Sequence, residues 1–298
     1  MKLTSDNYYS LEANQKFMNF TQYKDFITCE KTALASVTEN PDKPGEPLYK
    51  KEVTLPMLVG SFVDKWMSEG EKGLAEFIER NHDLIMIKDG PKPKTKPQKY
   101  KLGAKFKHAK EVIIPSIERD QLFADAISGH HQGIFTADMF GVIWKCAVDA
   151  YIPEKGGFHG KLTDLKVYDK LKDKVWVREY EGIPGHWVSH YDDRLTFTQL
   201  ALYCAIIKIS EIANNYPTPY LAVITSEPTP DKAIISFDDK EESYIEFIEK
   251  QLRRVAVNMP RILLVKSGKE EPRECGVCEY CKKTKLLTHT THYRLFDV

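Results

Sequence analysis

Three neighbouring stretches limit the fold most: GIFTADMF at 133–140, VIWKCAVDAYI at 142–152 and GKLTDLKVYD at 160–169. Each is dense in β-branched and aromatic residues, and glycines separate them, as expected of strands joined by turns. An apolar helix, RLTFTQLALYCAIIKISEIA, is predicted next at 194–213. Strands PYLAVITSE and KAIISF follow, and EESYIEFIEKQLRRVAVNMPRILLV reads as a long helix interrupted or ended near Pro260. Before the strands, TQYKDFITCEKTALASV reads as a helix with Thr21 as N-cap, bearing Tyr23, Phe26, Ile27 and Leu34 on or near one face. LPMLVGSFVDKWMSEG reads as a second helix, with Pro56 in its first turn and a stripe of Val59, Phe62, Val63 and Trp66. LIMIK at 84–88 is a short strand, and 104–127 is mostly helical, broken near Pro115. The order helices, strands, helix, strands, helix predicts an α/β or α+β chain built around one mixed sheet.

Length and composition fit a globular chain: 298 residues, 42% hydrophobic and 29% charged. Lys+Arg and Asp+Glu both count 43, so net charge points to no partner. Local charge is different. Residues 88–110 hold nine lysines and one aspartate, including Lys92, Lys94, Lys96, Lys99 and Lys101. Such a stretch suits a polyanion, and it equally suits a solvated, proline-broken loop. The chain shows no apolar run of membrane length and no signal-peptide pattern, so a cytoplasmic location, with reduced cysteines, is expected.

The strands carry the chemistry. Strand alternation puts Lys145, Ala147, Asp149 and Tyr151 on one face, and Asp164 and Lys166 share a face of the next strand. Pairing the two as a hairpin brings Asp149 towards Asp164. Two carboxylates and an ammonium then converge, a set of hard oxygen ligands for Mg²⁺ or Mn²⁺ with a cation beside it. D-x-K alone also fits an ordinary cross-strand ion pair.

The larger pattern narrows this choice. Asp149 followed by Asp164-Leu165-Lys166 resembles the D…(D/E)-x-K signature of the PD-(D/E)XK nucleases. GSFVD at 60–64 stands where the RecB-like branch carries G-x-x-x-H, and QLALY at 199–203 resembles its Q-x-x-x-Y, with Gln199 and Tyr203 on one helix face. The N-terminal block from Asn7, the VGSFVD helix and the cysteine-bearing end are similar to phage RecE-type exonucleases, the exodeoxyribonuclease VIII group. The resemblance implies a single nuclease domain over 1–298. Its helical part spans about 15–130, and its cysteine segment, about 270–298, packs on the core. It implies Mg²⁺ held by Asp149, Asp164 and the Leu165 carbonyl, with Lys166 positioning the attacking water and Gln199 and Tyr203 supporting the catalytic strands. Asp64 stands where the family has histidine; an aspartate there can ligate Mg²⁺, or be only a surface residue.

Six cysteines occur, and Cys275, Cys278 and Cys281 form C-x2-C-x2-C. Cys146 and Cys204 read as buried packing residues. In some RecB-like nucleases one N-terminal cysteine joins three C-terminal ones around a [4Fe–4S] cluster, and the resemblance gives Cys29 that part. A Cys₄ zinc site is the alternative, as is a local zinc knuckle using His289 or His292.

By resemblance the chain is a bacterial or phage-encoded, Mg²⁺-dependent exonuclease that resects the 5′ strand of duplex DNA ends for recombination, working with a single-strand annealing protein and forming a homo-oligomeric ring. The lysine stretch would contact phosphates. An inactive DNA-binding protein with the same fold, and a zinc-containing adaptor, are the alternatives.

Overall fold

The computed structural model describes residues 1–91, 97–156, 159–177, 185–287, 290, 292 and 294. In chain order the elements are helices α1 (Leu11–Lys16), α2 (Phe20–Thr28) and α3 (Glu30–Val37), then strands β1 (Glu39–Asn40) and β2 (Lys43–Pro47). Helices α4 (Leu55–Arg80) and α5 (His82–Ile85) follow, then β3 (Met86–Lys88) and β4 (Tyr100–Leu102). Next come α6 (Ala104–His108), a π-helical turn at Ala109–Ile113, α7 (Ile114–Glu118) and α8 (Gln121–Ala126). The strands are β5 (Gly133–Met139), β6 (Val142–Val148), β7 (Ala150–Ile152), β8 (Lys161–Tyr168), β9 (Lys174–Val177) and β10 (His186–Ser189). The chain continues through α9 (His190–Asp193), α10 (Thr196–Ser210), β11 (Thr218–Thr225), β12 (Lys232–Ser236), α11 (Tyr244–Lys266) and α12 (Glu279–Lys283). Two compact units result, one of residues 1–51 and 256–298, the other of 52–255.

The larger unit holds a mixed sheet in the order β12-β11-β8-β7. β8 and β11 run parallel, with Asp164 opposite Leu221, while β7 and β12 are antiparallel to their neighbours. A parallel neighbour demands a crossover, and α10 supplies it. As a central strand β8 is largely buried and does not alternate. β5 and β6 pair separately. The core is formed by Phe62 and Val63 of α4 with Leu74, Ile85, Phe106, Ile113, Ile117 and Phe123, against Leu165, Ala222 and Ile224 of the sheet. The stripe predicted for α4 is therefore its inner face, although Trp66 is only partly covered. α4 has Pro56 in its first turn and is kinked at Gly70, whose φ of 62° no helical residue adopts.

Three local expectations change. The first predicted helix is two: Asn19 caps α2 through its side chain, and extended backbone at Cys29 separates α2 from α3. α11 runs through Pro260 without a break. Asp149 lies between β6 and β7, which belong to different sheets, so alternation does not carry across it. Among the described residues no helix is long and apolar enough to cross a membrane.

In the smaller unit, Glu30 at the start of α3 accepts two hydrogen bonds from the Arg261 guanidinium, at 3.0 and 2.7 Å, and one from the Arg273 amide at 2.8 Å. Those charges hold its carboxyl below the usual range despite its burial. Lys31 N–H donates to the Arg273 carbonyl, and its ammonium pairs with Glu274 at 2.6 Å. These bonds fasten the segment before Cys275 alongside the turn that bears Cys29.

Candidate active site and cysteine cluster

β7 and β8 pair with Ala150 opposite Thr163, so one more step along that register sets Asp149 opposite Asp164. The expected convergence follows from this hairpin. Asp149 Oδ2 accepts a hydrogen bond from Leu165 N–H at 2.7 Å, which fixes its carboxylate against β8. Lys166 Nζ lies 2.6 Å from Asp164 Oδ2, while Asp164 Oδ1 accepts from the Gln199 amide at 3.3 Å. Gln199 also donates to the Tyr203 hydroxyl at 3.2 Å, so the pair one turn apart on α10 acts as a unit.

Charge crowding marks the site. Burial pushes the Asp149 carboxyl well above the carboxylate range, and the neighbouring Asp164 and Asp64 push it further. Burial raises Asp64 to about 6, opposed by Lys166, Lys65 and Gln132 and assisted by Asp164. Burial alone would depress the Lys166 ammonium, yet Asp164 and Asp149 outweigh it and hold the proton more tightly than usual. Three carboxylates around one ammonium leave an excess of negative charge. Asp164 Oδ2 is buried and faces the Lys166 ammonium as an ion pair. A buried oxygen of this kind, in a cluster of hard anions, fits a divalent cation.

Two positioning side chains escaped the sequence. Gln132 donates to both oxygens of Asp64, at 3.0 and 2.9 Å, from a backbone with φ of 55°. His131 Nδ1 donates to the Asp149 carbonyl at 2.8 Å. Neither stands in a recognisable motif; only the bridge between His130 and Tyr151 brings this segment to β7.

Of the lysine stretch, only part is described. Lys92, Lys94 and Lys96 lie outside the described residues; Lys99 is exposed, and Lys101 pairs with Asp89 at 3.0 Å.

In the smaller unit, the sulfurs of Cys29, Cys275, Cys278 and Cys281 all lie within 4.8 Å of one another. Cys29 Sγ is 3.5 Å from Cys281 Sγ and 3.9 Å from Cys278 Sγ. Four thiolates about 2.3 Å from one tetrahedral ion stand about 3.8 Å apart. Thr32, one turn after Cys29, hydrogen-bonds to Cys29 Sγ at 3.3 Å and lies 3.0 Å from Cys278 Sγ. Burial would raise the Cys278 thiol, but Thr32 and the Cys281 amide bring it down to about 6; burial and the neighbouring sulfurs push Cys281 up to about 12. One thiolate thus forms readily and opposes the next, a conflict a cation removes. His292 does not join the group, and His289 lies outside the described residues. Cys146 and Cys204 are buried packing residues, as expected.

Hairpin, paired carboxylates and crossover helix define a PDDEXK-like core. Residues 19–284 match the family described as PDDEXK-like domain of unknown function (DUF3799), and the chain belongs to that family. It is also similar to a crystal structure from Eubacterium rectale, provisionally named an exonuclease, with 30% identity and a TM-score of 0.79 over 99% of this chain and 98% of that one. Comparison with curated proteins gives no match.

Proposed function

We propose that this chain is a metal-dependent deoxyribonuclease that hydrolyses DNA from its ends. The observation that carries the reading is the convergence of Asp149, Asp164 and Lys166, with Asp164 buried and its Oδ2 paired to the Lys166 ammonium at 2.6 Å. The family, and the name given to the E. rectale protein, support nuclease chemistry and end-directed action.

Asp149, Asp164 and the Leu165 carbonyl would hold Mg²⁺ or Mn²⁺, with Asp64 as a further ligand. Such an ion neutralises charge on the scissile phosphate and acidifies water. Lys166, kept as an ammonium by Asp164 and Asp149, orients the attacking water and adds positive charge beside the phosphate. Water oxygen bonds to phosphorus, the P–O3′ bond breaks, and the products are a 5′-phosphate and a 3′-hydroxyl. Gln199 keeps one Asp164 oxygen turned towards α10, leaving the other for the site. Resection of the 5′ strand would expose a single strand suited to an annealing protein. In the cysteine cluster, the sulfur spacing supports one tetrahedral ion, zinc, over a [4Fe–4S] cluster, whose four irons hold thiolates farther apart.

The test is digestion of end-labelled linear DNA and closed circular DNA with Mg²⁺. Linear DNA should be degraded and circular DNA spared, with EDTA abolishing the degradation. Equal cutting of the circle overturns end-directed action; no cutting in Mg²⁺ or Mn²⁺ overturns the nuclease reading.

A further inference from the structure

Directly after β8, the chain forms the antiparallel ribbon of β9 and β10, in which Trp176 stands opposite Trp187. Alternation gives this ribbon two unlike faces. Val175, Val177 and Val188 are half-buried on one, whereas Lys174, Trp176 and Trp187 lie on the other. That outer face carries the wrong residues for a merely solvated one: Trp176 is 50% exposed and Trp187 62% exposed. The other two tryptophans of the chain, Trp66 and Trp144, are half-buried and buried. Exposed indole on this scale marks a contact surface.

The geometry suits flat ligands. The rings meet edge to face, 5.5 Å between centroids at 68°, so they do not consume each other by stacking. Gly185 lets Trp176 lie close to the ribbon: a Cβ at that position would come within 2.7 Å of Trp176 Cζ2. The surroundings favour an anion. Lys170, Lys172 and Lys174 are exposed between β8 and the tryptophans. Asp169 and Asp173 lie among them, bonded to the Ser226 hydroxyl and the Lys174 amide, so three lysines against two aspartates leave an excess of one positive charge over residues 169–174. The ribbon also follows the candidate active strand directly in the chain. Asp164, Lys166 and Tyr168 alternate on one face of β8, and the Arg194 guanidinium lies 4.7 Å from the centre of the Tyr168 ring.

We propose that the β9–β10 ribbon is a binding site for single-stranded DNA, with Trp176 and Trp187 as base-stacking platforms and Lys170, Lys172 and Lys174 as phosphate contacts. Stacking of this kind needs bases released from a duplex and tolerates any sequence. The ribbon would hold the unpaired strand on the segment that follows β8, the strand bearing Asp164 and Lys166. This inference rests on the nuclease reading for its purpose, but binding is measured apart from cleavage.

The experiment titrates the full chain into fluorescein-labelled oligothymidylate in EDTA, following the anisotropy of the label, and compares W176A/W187A and W176F/W187F; tryptophan emission is followed for the wild type alone. Hydrolysis of bis(p-nitrophenyl) phosphate with Mn²⁺, a diester too small to reach the ribbon, is measured in parallel. Binding should raise the label's anisotropy and quench wild-type tryptophan emission; the affinity read from anisotropy should weaken roughly 5- to 100-fold in the alanine pair and recover in the phenylalanine pair. Small-diester hydrolysis should stay unchanged. If the alanine pair loses both readouts, recovery of DNA affinity by the phenylalanine pair supports the site and its failure overturns it. Undiminished oligonucleotide affinity in the alanine pair overturns the site while leaving the nuclease reading intact; if that pair also loses self-association, the patch is a protein contact. A wild-type chain that binds oligothymidylate through the ribbon but cleaves neither substrate keeps the site and sinks the nuclease reading.

Discussion

The Gln132 side-chain amide donates to both carboxylate oxygens of Asp64, from a residue whose φ of 55° places it in the left-handed region. Such a backbone is costly for a branched-free but non-glycine residue, and it is held in place by the bridge of His130 to Tyr151 and the pairing of Gly133 with Val148. Gln132 therefore aims a carboxylate it does not share a strand or helix with. If Asp64 is a ligand, Gln132→Ala should weaken Mn²⁺ binding about 10-fold, as loss of a ligand's hydrogen-bond partner typically does. Combined with Asp64→Asn, it should add little, because both changes act through one carboxylate. Calorimetric titration with Mn²⁺ checks this; additive losses would place Gln132 outside the ligand set.

Lys166 and Asp164 separate cation binding from chemistry. Asp164→Ala removes the buried carboxylate and should abolish Mg²⁺-dependent DNA degradation while leaving the circular dichroism spectrum native. Lys166→Met removes the ammonium between Asp164 and Asp149 but keeps the side chain's length. It should retain or strengthen Mn²⁺ binding and lower the cleavage rate at least about 100-fold, the scale of a lost electrostatic stabiliser. A Lys166→Met enzyme with normal turnover would remove Lys166 from the reaction.

The carboxylates also predict how stability depends on pH. Burial raises Asp64 from 3.8 to about 6, and Asp149 moves in the same direction. A folded-state value above the unfolded one means that the folded chain binds the proton more tightly. Its contribution is fully present below 3.8 and is lost as pH rises through about 6. In EDTA, Asp64→Asn should match the wild type near pH 4 and exceed it in Tm near pH 7. Mg²⁺ should raise the wild-type Tm more at pH 7 than at pH 5, since the cation needs the ionised form. A difference in Tm that does not vary with pH would mean Asp64 ionises freely.

The hairpin of β7 and β8 was legible because its signals are local: runs of β-branched and aromatic residues, a glycine-rich turn, Asp164 on one strand and Asp149 just before the other. Gln199 and Tyr203 were picked out by their likeness to the RecB-like Q-x-x-x-Y, since a strongly apolar helix bearing two polar residues one turn apart says little by itself. The bend at Asp149 was not, since strand composition continues across it and only the change of sheet reveals it. Gln132 was invisible because its role comes from a left-handed turn that no residue type announces. The β9–β10 ribbon was missed because DKLKDKVWV reads as charged and broken, and its partner strand lies several residues downstream. Helix α11 passes Pro260, whose missing N–H costs one intrahelical bond, because the flanking Val255, Met259, Ile262 and Val265 are buried.

The cysteine cluster gives the last prediction. Cys29 ends α2 with extended backbone, which turns its sulfur to within 3.5 Å of Cys281, 252 residues away. The Glu30–Arg261 pair and the Arg273 amide hold the two segments together independently of any metal. Cys29→Ala and Cys278→Ala should therefore each release the bound metal while the unit still folds, with a lowered Tm. Thr32→Val should retain the metal but weaken it, since a hydrogen bond shared by two of the sulfurs is lost. Elemental analysis after anaerobic purification reads the outcome. One zinc per chain in colourless protein is expected from the sulfur spacing; four irons with absorbance near about 410 nm would identify a [4Fe–4S] cluster instead. Full metal content in Cys29→Ala would remove that residue from the ligand set and return the site to the C-terminal segment alone.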